Sequence, residues 1–164
     1  MEIDINLACP CGSLISFKNC CRPFLENKSI PKTAEQLMRS RYVAFVLHNA
    51  DYLNQTYQPT TLDQKLTAND FDPKTHWLGL KVIDTHAGQY HQKKGSVEFV
   101  AFFEHRSLVK QPKFEQLHEI SQFEKKDGKW CYLSGTPQKD IKLSRNDLCF
   151  CGSEKKCKKC HAYR

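Results

Sequence analysis

Between positions 33 and 58 the apolar residues recur with a helical period; beyond position 77 they recur every second residue. Thr33 with Gln36 three residues on makes a capping box, and it opens a helix predicted over Ala34 to about Asn49. Leu37, Met38, Arg41, Tyr42, Phe45, Val46 and Leu47 give that helix a wide, mostly apolar face. Asp51–Tyr57 reads as a second helix or a single turn of one, broken at Pro59-Thr60-Thr61. Asp70-Phe71-Asp72-Pro73 reads as a turn.

After that turn, Leu78, Leu80, Val82 and His86 line one face of a strand, and His86–Lys94 is a polar connection. Val97, Phe99, Ala101, Phe103 and His105 alternate with Glu98, Val100, Phe102 and Glu104 in a long strand. Lys110–Lys113 is a polar loop, and Phe114–Lys125 forms the next strand. Lys126-Asp127-Gly128-Lys129 turns the chain, with Asp-Gly as the hairpin signal, and Trp130–Leu133 returns. Helices followed by an antiparallel meander define the α+β class.

The chain has 164 residues and is 40% apolar, enough for one core of its own. No run approaches the ~20 apolar residues of a membrane span. The first four residues, Met1-Glu2-Ile3-Asp4, lack the apolar stretch of a secretory signal, so the chain reads as cytoplasmic. The formal charge is +7, and residues 138–164 hold eight Lys/Arg against three Asp/Glu, a net of +5. The basic character therefore lies mostly in the tail.

Cysteine changes the picture more than charge does. Of nine cysteines, eight sit in two terminal clusters and only Cys131 is alone. In a reduced compartment such clusters are metal ligands more often than disulfides. Cys9-Pro10-Cys11-Gly12-Ser13 with Cys20-Cys21 repeats as Cys149-Phe150-Cys151-Gly152-Ser153 with Cys160-His161. Zinc takes a tetrahedron of soft or borderline ligands, and closed structural sites use four cysteines, or three and a histidine. Cys9, Cys11, Cys20 and Cys21 are therefore one predicted site; Cys149, Cys151, Cys160 and His161 are the other, giving two Zn2+ per chain. Cys157 aligns with Phe17 and reads as a packing residue. The Cys157-x-x-Cys160-His161 spacing also matches haem attachment, but that reading leaves the twin motif unexplained, so no haem is expected. Each module is too short for a core of its own, so the metal must supply most of its folding free energy. Chelation is accordingly expected to unfold both ends and leave the middle folded.

The tail Arg145-Asn146-Asp147-Leu148-Cys149-Phe150-Cys151-Gly152-Ser153, with lysines before Cys160-His161, resembles the SEC-C module at the C-terminus of the SecA translocation motor. It departs only at Cys157, where an aromatic is usual. The central segments Ala34–Tyr42, Ala50–Leu53, Trp77–Leu80, Val97–Phe99, Leu117–Phe123 and Asp127–Trp130 resemble, together with both ends, the YchJ family. That resemblance implies a SEC-C motif at each terminus around a cone-shaped domain similar to nuclear transport factor 2, with N-terminal helices packed on a curved antiparallel sheet. The predicted units are 1–26, 31–136 and 140–164. It implies no reaction.

Two functional classes remain. As an adaptor, the C-terminal module would offer Lys155, Lys156, Lys158 and Lys159 to an acidic protein partner or to ribosomal RNA; the alternative is that these lysines only solvate the tail and offset the thiolate charge. The SecA resemblance points to the SecB chaperone, protein export or the ribosome. As an enzyme or small-ligand binder, the cone would need an open apolar pocket with a desolvated acid or base, not one filled by Phe99, Phe103 and Phe123. His105, His118, Glu98, Glu119, Asp51, Tyr42 and Arg41 are the candidates there, and spacing singles out no catalytic residue. His118 reads as a structural histidine, Arg41 as a buried partner of Glu98 or Glu119 with a pocket anion site as the sharper alternative, and Trp77 and Trp130 as core. Direct nucleic-acid binding is weak, because the tail lysines are interleaved only with Phe150 and Tyr163.

Overall fold

The computed structural model describes residues 3–58, 65–105 and 114–160. A short helix α1 (Arg22–Leu25) precedes α2 (Ala34–Val46) and α3 (Ala50–Gln55), and four strands follow: β1 (Thr75–Ala87), β2 (Lys94–His105), β3 (Phe114–Lys126) and β4 (Lys129–Pro137). The strands pair in sequence order as one antiparallel meander. Asp127 and Gly128 both have positive φ at the β3–β4 turn, as the hairpin signal requires.

Thr33 caps α2 by accepting from the Gln36 amide. The Gln36 side chain accepts from Lys32 N, one residue earlier than a strict capping box. The helix stops at Val46, short of the expected Asn49, because Asn49 Oδ1 caps α3 by accepting from Tyr52 N at 3.0 Å. His48, with φ of 54°, turns the chain between the helices.

Strand β2 explains the assembly. Val97, Phe99 and Ala101 face α2 and join Leu37, Met38, Tyr42, Val43, Leu80, Phe123 and Trp130 in the main core. Val100 and Phe102, on the opposite face, are fully buried under Cys149, Phe150 and Cys157 of the C-terminal module. The sheet is thus covered on both sides at its centre, which is why the polar alternation fails there. Bulges at Trp77/Gly79 and Val82/Asp84 bend β1, one of the two edge strands.

Candidate metal centres

The two cysteine modules have the same backbone. In each, an isolated bridge closes the loop, Ala8 to Ser16 in one and Leu148 to Lys156 in the other. Cys9 N donates to Ile15 O and Gly12 N to Cys9 O; Cys149 N donates to Lys155 O and Gly152 N to Cys149 O. Leu14 and Glu154, at equivalent places, share positive φ of 63° and 58°, and Gly12 and Gly152 share 76° and 74°. A single 3-10 turn, Phe17–Asn19 or Cys157–Lys159, then delivers the next cysteine. Cys157 is fully buried in the position of Phe17 and points to packing, its thiol resting on Leu148 O at 3.6 Å.

Cys9, Cys11, Cys20 and Cys21 bring their sulfurs within 4.8 Å of one another, as do Cys149, Cys151 and Cys160. His161, the expected fourth member of the second set, lies outside the described residues. The spacing discriminates between chemistries. A disulfide would need ~2.05 Å between sulfurs. A tetrahedron of thiolates ~2.3 Å from a central ion has edges of about 3.8 Å. The sulfurs lie 3.6 Å apart for Cys11–Cys20, 3.8 Å for Cys20–Cys21, and 3.5 Å for both Cys149–Cys151 and Cys151–Cys160. These clusters can hold metal ions.

Electrostatics agree. Hydrogen bonds from Cys20, Cys21 and Cys9 hold the Cys11 thiol far below its usual range. Cys20 is raised by its bond to Cys11, but bonds from Cys21, Cys9 and Ser13 outweigh that and bring it to about 7. Burial alone would push Cys151 up, yet Ser153, Cys149 and Cys160 take it below the usual thiol range. Bonds to Cys11 and Cys20 push Cys9 and Cys21 the other way, well above the usual thiol range, so without a metal the first cluster ionises at Cys11 and Cys20 and keeps its protons on Cys9 and Cys21. The serine of each motif is part of the centre: Ser13 Oγ lies 3.1 Å from Cys20 Sγ, and Ser153 Oγ lies 3.4 Å from Cys160 Sγ. A hydroxyl there would steady the sulfur were it to hold a metal. Its repetition in both copies was the only sequence signal for that role.

The modules are anchored rather than tethered. Cys9, Cys11 and Cys21 belong to the main core with Leu37, Met38 and Tyr42, and Arg39 Nη1 donates to Cys11 O at 2.6 Å. Gly12 lies against Leu80 O, where an added Cβ would stand 2.8 Å away. On the other face, Phe150 stacks on Phe102 at 4.0 Å, and a Cβ on Gly79 would meet Phe150 O at 2.0 Å. Both modules therefore seat on neighbouring residues of bulged β1. A cleft of about 250 Å3 between them is lined by Cys9, Pro10 and Leu14 on one side and Phe150 and Cys151 on the other. Neither Arg39 nor Gly79 was marked as important by the sequence pattern.

A family model for the YchJ middle domain, of nuclear-transport-factor-2-like type, matches residues 33–135, and the SEC-C motif model matches 6–23 and 145–162. The chain belongs to the YchJ family. It is similar to a UPF0225 protein of Photorhabdus laumondii, 45% identical over 158 residues, covering 93% of this chain and 96% of that one. The UPF0225 protein YchJ of Shigella dysenteriae is 41% identical over 155 residues, covering 93% and 95%. A SEC-C motif containing protein from Rhodopseudomonas palustris, solved in solution, shares the fold with a TM-score of 0.69 at 30% identity, covering 81% of this chain and 100% of that one. The crystal structure of a SEC-C motif containing protein from Psychrobacter arcticus gives 0.63 at 27% identity, covering 93% and 94%.

In this YchJ-family chain the remaining candidates separate onto two faces. His118 is on the outer face, with Nε2 2.8 Å from Glu98 Oε1 and Nδ1 2.5 Å from Lys139 O. It fastens the segment leading to the C-terminal module. His105 is partly exposed near Asp72 and Glu115, and Asp51 is exposed in the first turn of α3. Arg41, Tyr42 and Glu119 instead line an inner cavity of about 350 Å3 between the helices and the sheet. Phe99 and Phe123 form its walls and do not fill it. Arg41 forms no ion pair with Glu98 or Glu119 among the described residues. Strand alternation places Glu98 on the other face, where it pairs with His118, and Arg41 Nη1 donates to Leu53 O at 2.8 Å and Thr56 Oγ1 at 2.7 Å. Among the described residues no helix is long and apolar enough to cross a membrane.

Proposed function

We propose that the chain is a zinc-binding cytosolic adaptor whose C-terminal module docks on an acidic protein surface. The observation that carries this reading is the contrast between two copies of one backbone. Lys155, Lys156, Lys158 and Lys159 are all exposed, and none forms an ion pair among the described residues. The matching N-terminal positions are Ile15, Ser16, Lys18 and Asn19. Identical folding with different surfaces supports a docking role for the basic copy, since folding alone does not call for four lysines. The SEC-C resemblance favours an export chaperone or the ribosome as the source of that acidic surface.

Zinc is the metal the donor sets favour, with Cys9, Cys11, Cys20 and Cys21 at one site and Cys149, Cys151, Cys160 and His161 at the other. Closed four-ligand sites of this kind are structural. Elemental analysis of freshly purified, reduced protein should give about two zinc per chain, and a value near zero refutes the assignment. Docking is tested by capture from native cytosol with the parent and with a variant in which all four lysines become glutamate, which leaves the ligands in place. The expected result is loss of the captured partner in the variant and its release from the parent at high salt. Capture that ignores both changes would overturn the adaptor, and loss on ribonuclease treatment would identify RNA as the ligand instead.

A further inference from the structure

Arg41 is a cation in an apolar chamber. Its side chain rises from α2, and the residue is only 8% exposed. Nη1 is used twice, on Leu53 O and Thr56 Oγ1, and the guanidinium lies 4.7 Å from the centre of the Tyr132 ring. No carboxylate among the described residues comes within ion-pair distance. Among the described residues Nε and Nη2 find no protein acceptor, and neither is sealed off, since the one sealed unpaired side-chain atom among those residues is Gln58 Oε1. A buried guanidinium is stable when paired, and here Arg41 lines the cavity with Nε and Nη2 left without an acceptor among the described residues. Burial depresses its pKa to about 10, with Tyr132, Tyr52 and Glu119 opposing the shift, so it stays charged at neutral pH.

The cavity has the other properties of a ligand site. Its volume of about 350 Å3 falls in the range of small-molecule pockets, roughly 300–1,000 Å3. Met38, Phe45, Leu53, Trp77, Phe99 and Phe123 supply an apolar lining, and the partly exposed Leu117 lies on its margin. Glu119 shares the chamber, but its Oε1 already accepts from Ser121 Oγ at 2.5 Å and from Tyr132 Oη at 3.4 Å. Arg41 leaves Nε and Nη2 without an acceptor, while Glu119 leaves Oε2 without a donor, among the described residues.

The geometry points to a binding site for a small organic carboxylate, its acid group held by Nε and Nη2 of Arg41 and its apolar body against the walls of the cavity. A bidentate carboxylate matches the planar fork of a guanidinium, and the apolar lining selects an organic acid over inorganic phosphate. This site is independent of the lysine tail and of the adaptor reading.

The test uses the full-length, zinc-loaded chain and calorimetric titration with 3-phenylpropionate and octanoate, each against its neutral amide, with inorganic phosphate as a control. At least one carboxylate is expected to bind tenfold or more tightly than its amide. Arg41→Gln should bring acid and amide within twofold of each other, and Arg41→Lys should restore part of the preference. Ala101→Leu, which adds bulk to the cavity from β2 and leaves the Arg41 side chain in place, should abolish binding; it serves where Arg41→Gln fails to fold through loss of its bonds to Leu53 and Thr56. Equal binding of acid and amide, binding that survives Ala101→Leu in a folded protein, or no binding of either acid at millimolar concentration would each overturn the site.

Discussion

Gly79 and Gly152 are small for different reasons. Gly152 sits at a φ of +74° with open space around it, so alanine there meets only backbone strain, roughly 1–2 kcal/mol. Gly79 is a strand residue whose missing Cβ admits the Phe150 carbonyl. Gly79→Ala is expected to cost ~1–3 kcal/mol, as overpacking does, and to shift the amide signals of 145–160 as the module lifts from β1. Denaturant unfolding and amide spectra check this; unchanged spectra for that segment would refute the docking. Ser13→Ala and Ser153→Ala remove a hydroxyl beside a ligand sulfur and should weaken metal retention by about tenfold or more, measured by competition with a chelator.

At the scale of elements, the N-terminal site is continuous with α2. Its cysteines share a core with Leu37 and Tyr42, and Arg39 bridges from α2 to the Cys11 carbonyl. Chelation is expected to leave the middle folded, but this packing ties the N-terminal site to one of its helices. Losing the N-terminal metal should loosen α2, while losing the C-terminal metal should mainly expose the outer face of β2 at Val100 and Phe102. Amide exchange in Cys20→Ser and Cys160→Ser variants distinguishes the two. Equal protection of α2 in both variants would count against the coupling. The same packing explains where the pattern was legible. Thr33 and the apolar face of α2 marked that helix well, because capping and amphipathicity are local. Its early end was not legible, since Asn49 fits equally as the last residue of one helix or the cap of the next.

For the whole molecule, seating the C-terminal module on the outer face of the sheet sets its lysines apart from the cavity on the inner face. Partner binding through the lysine face should fall steeply between low and high salt, whereas carboxylate binding at buried Arg41 should change little, because screening acts mainly on exposed charge. Titration at two ionic strengths separates them, and the reverse pattern would refute both assignments. The sequence by itself determined the class, the hairpin and the cysteine sets, because secondary-structure period and ligand spacing are properties of short segments. It also showed that Val100 and Phe102 are apolar on a face where polar residues were due, but not what covers them. Only the tertiary structure decided that the two ends of the chain meet on β1, that Arg41 faces a cavity and not a carboxylate, and that His118 holds Glu98 on the other side of the sheet. These are contacts between segments far apart in the chain, and their geometry follows from the bend and register of the sheet, which no local pattern encodes.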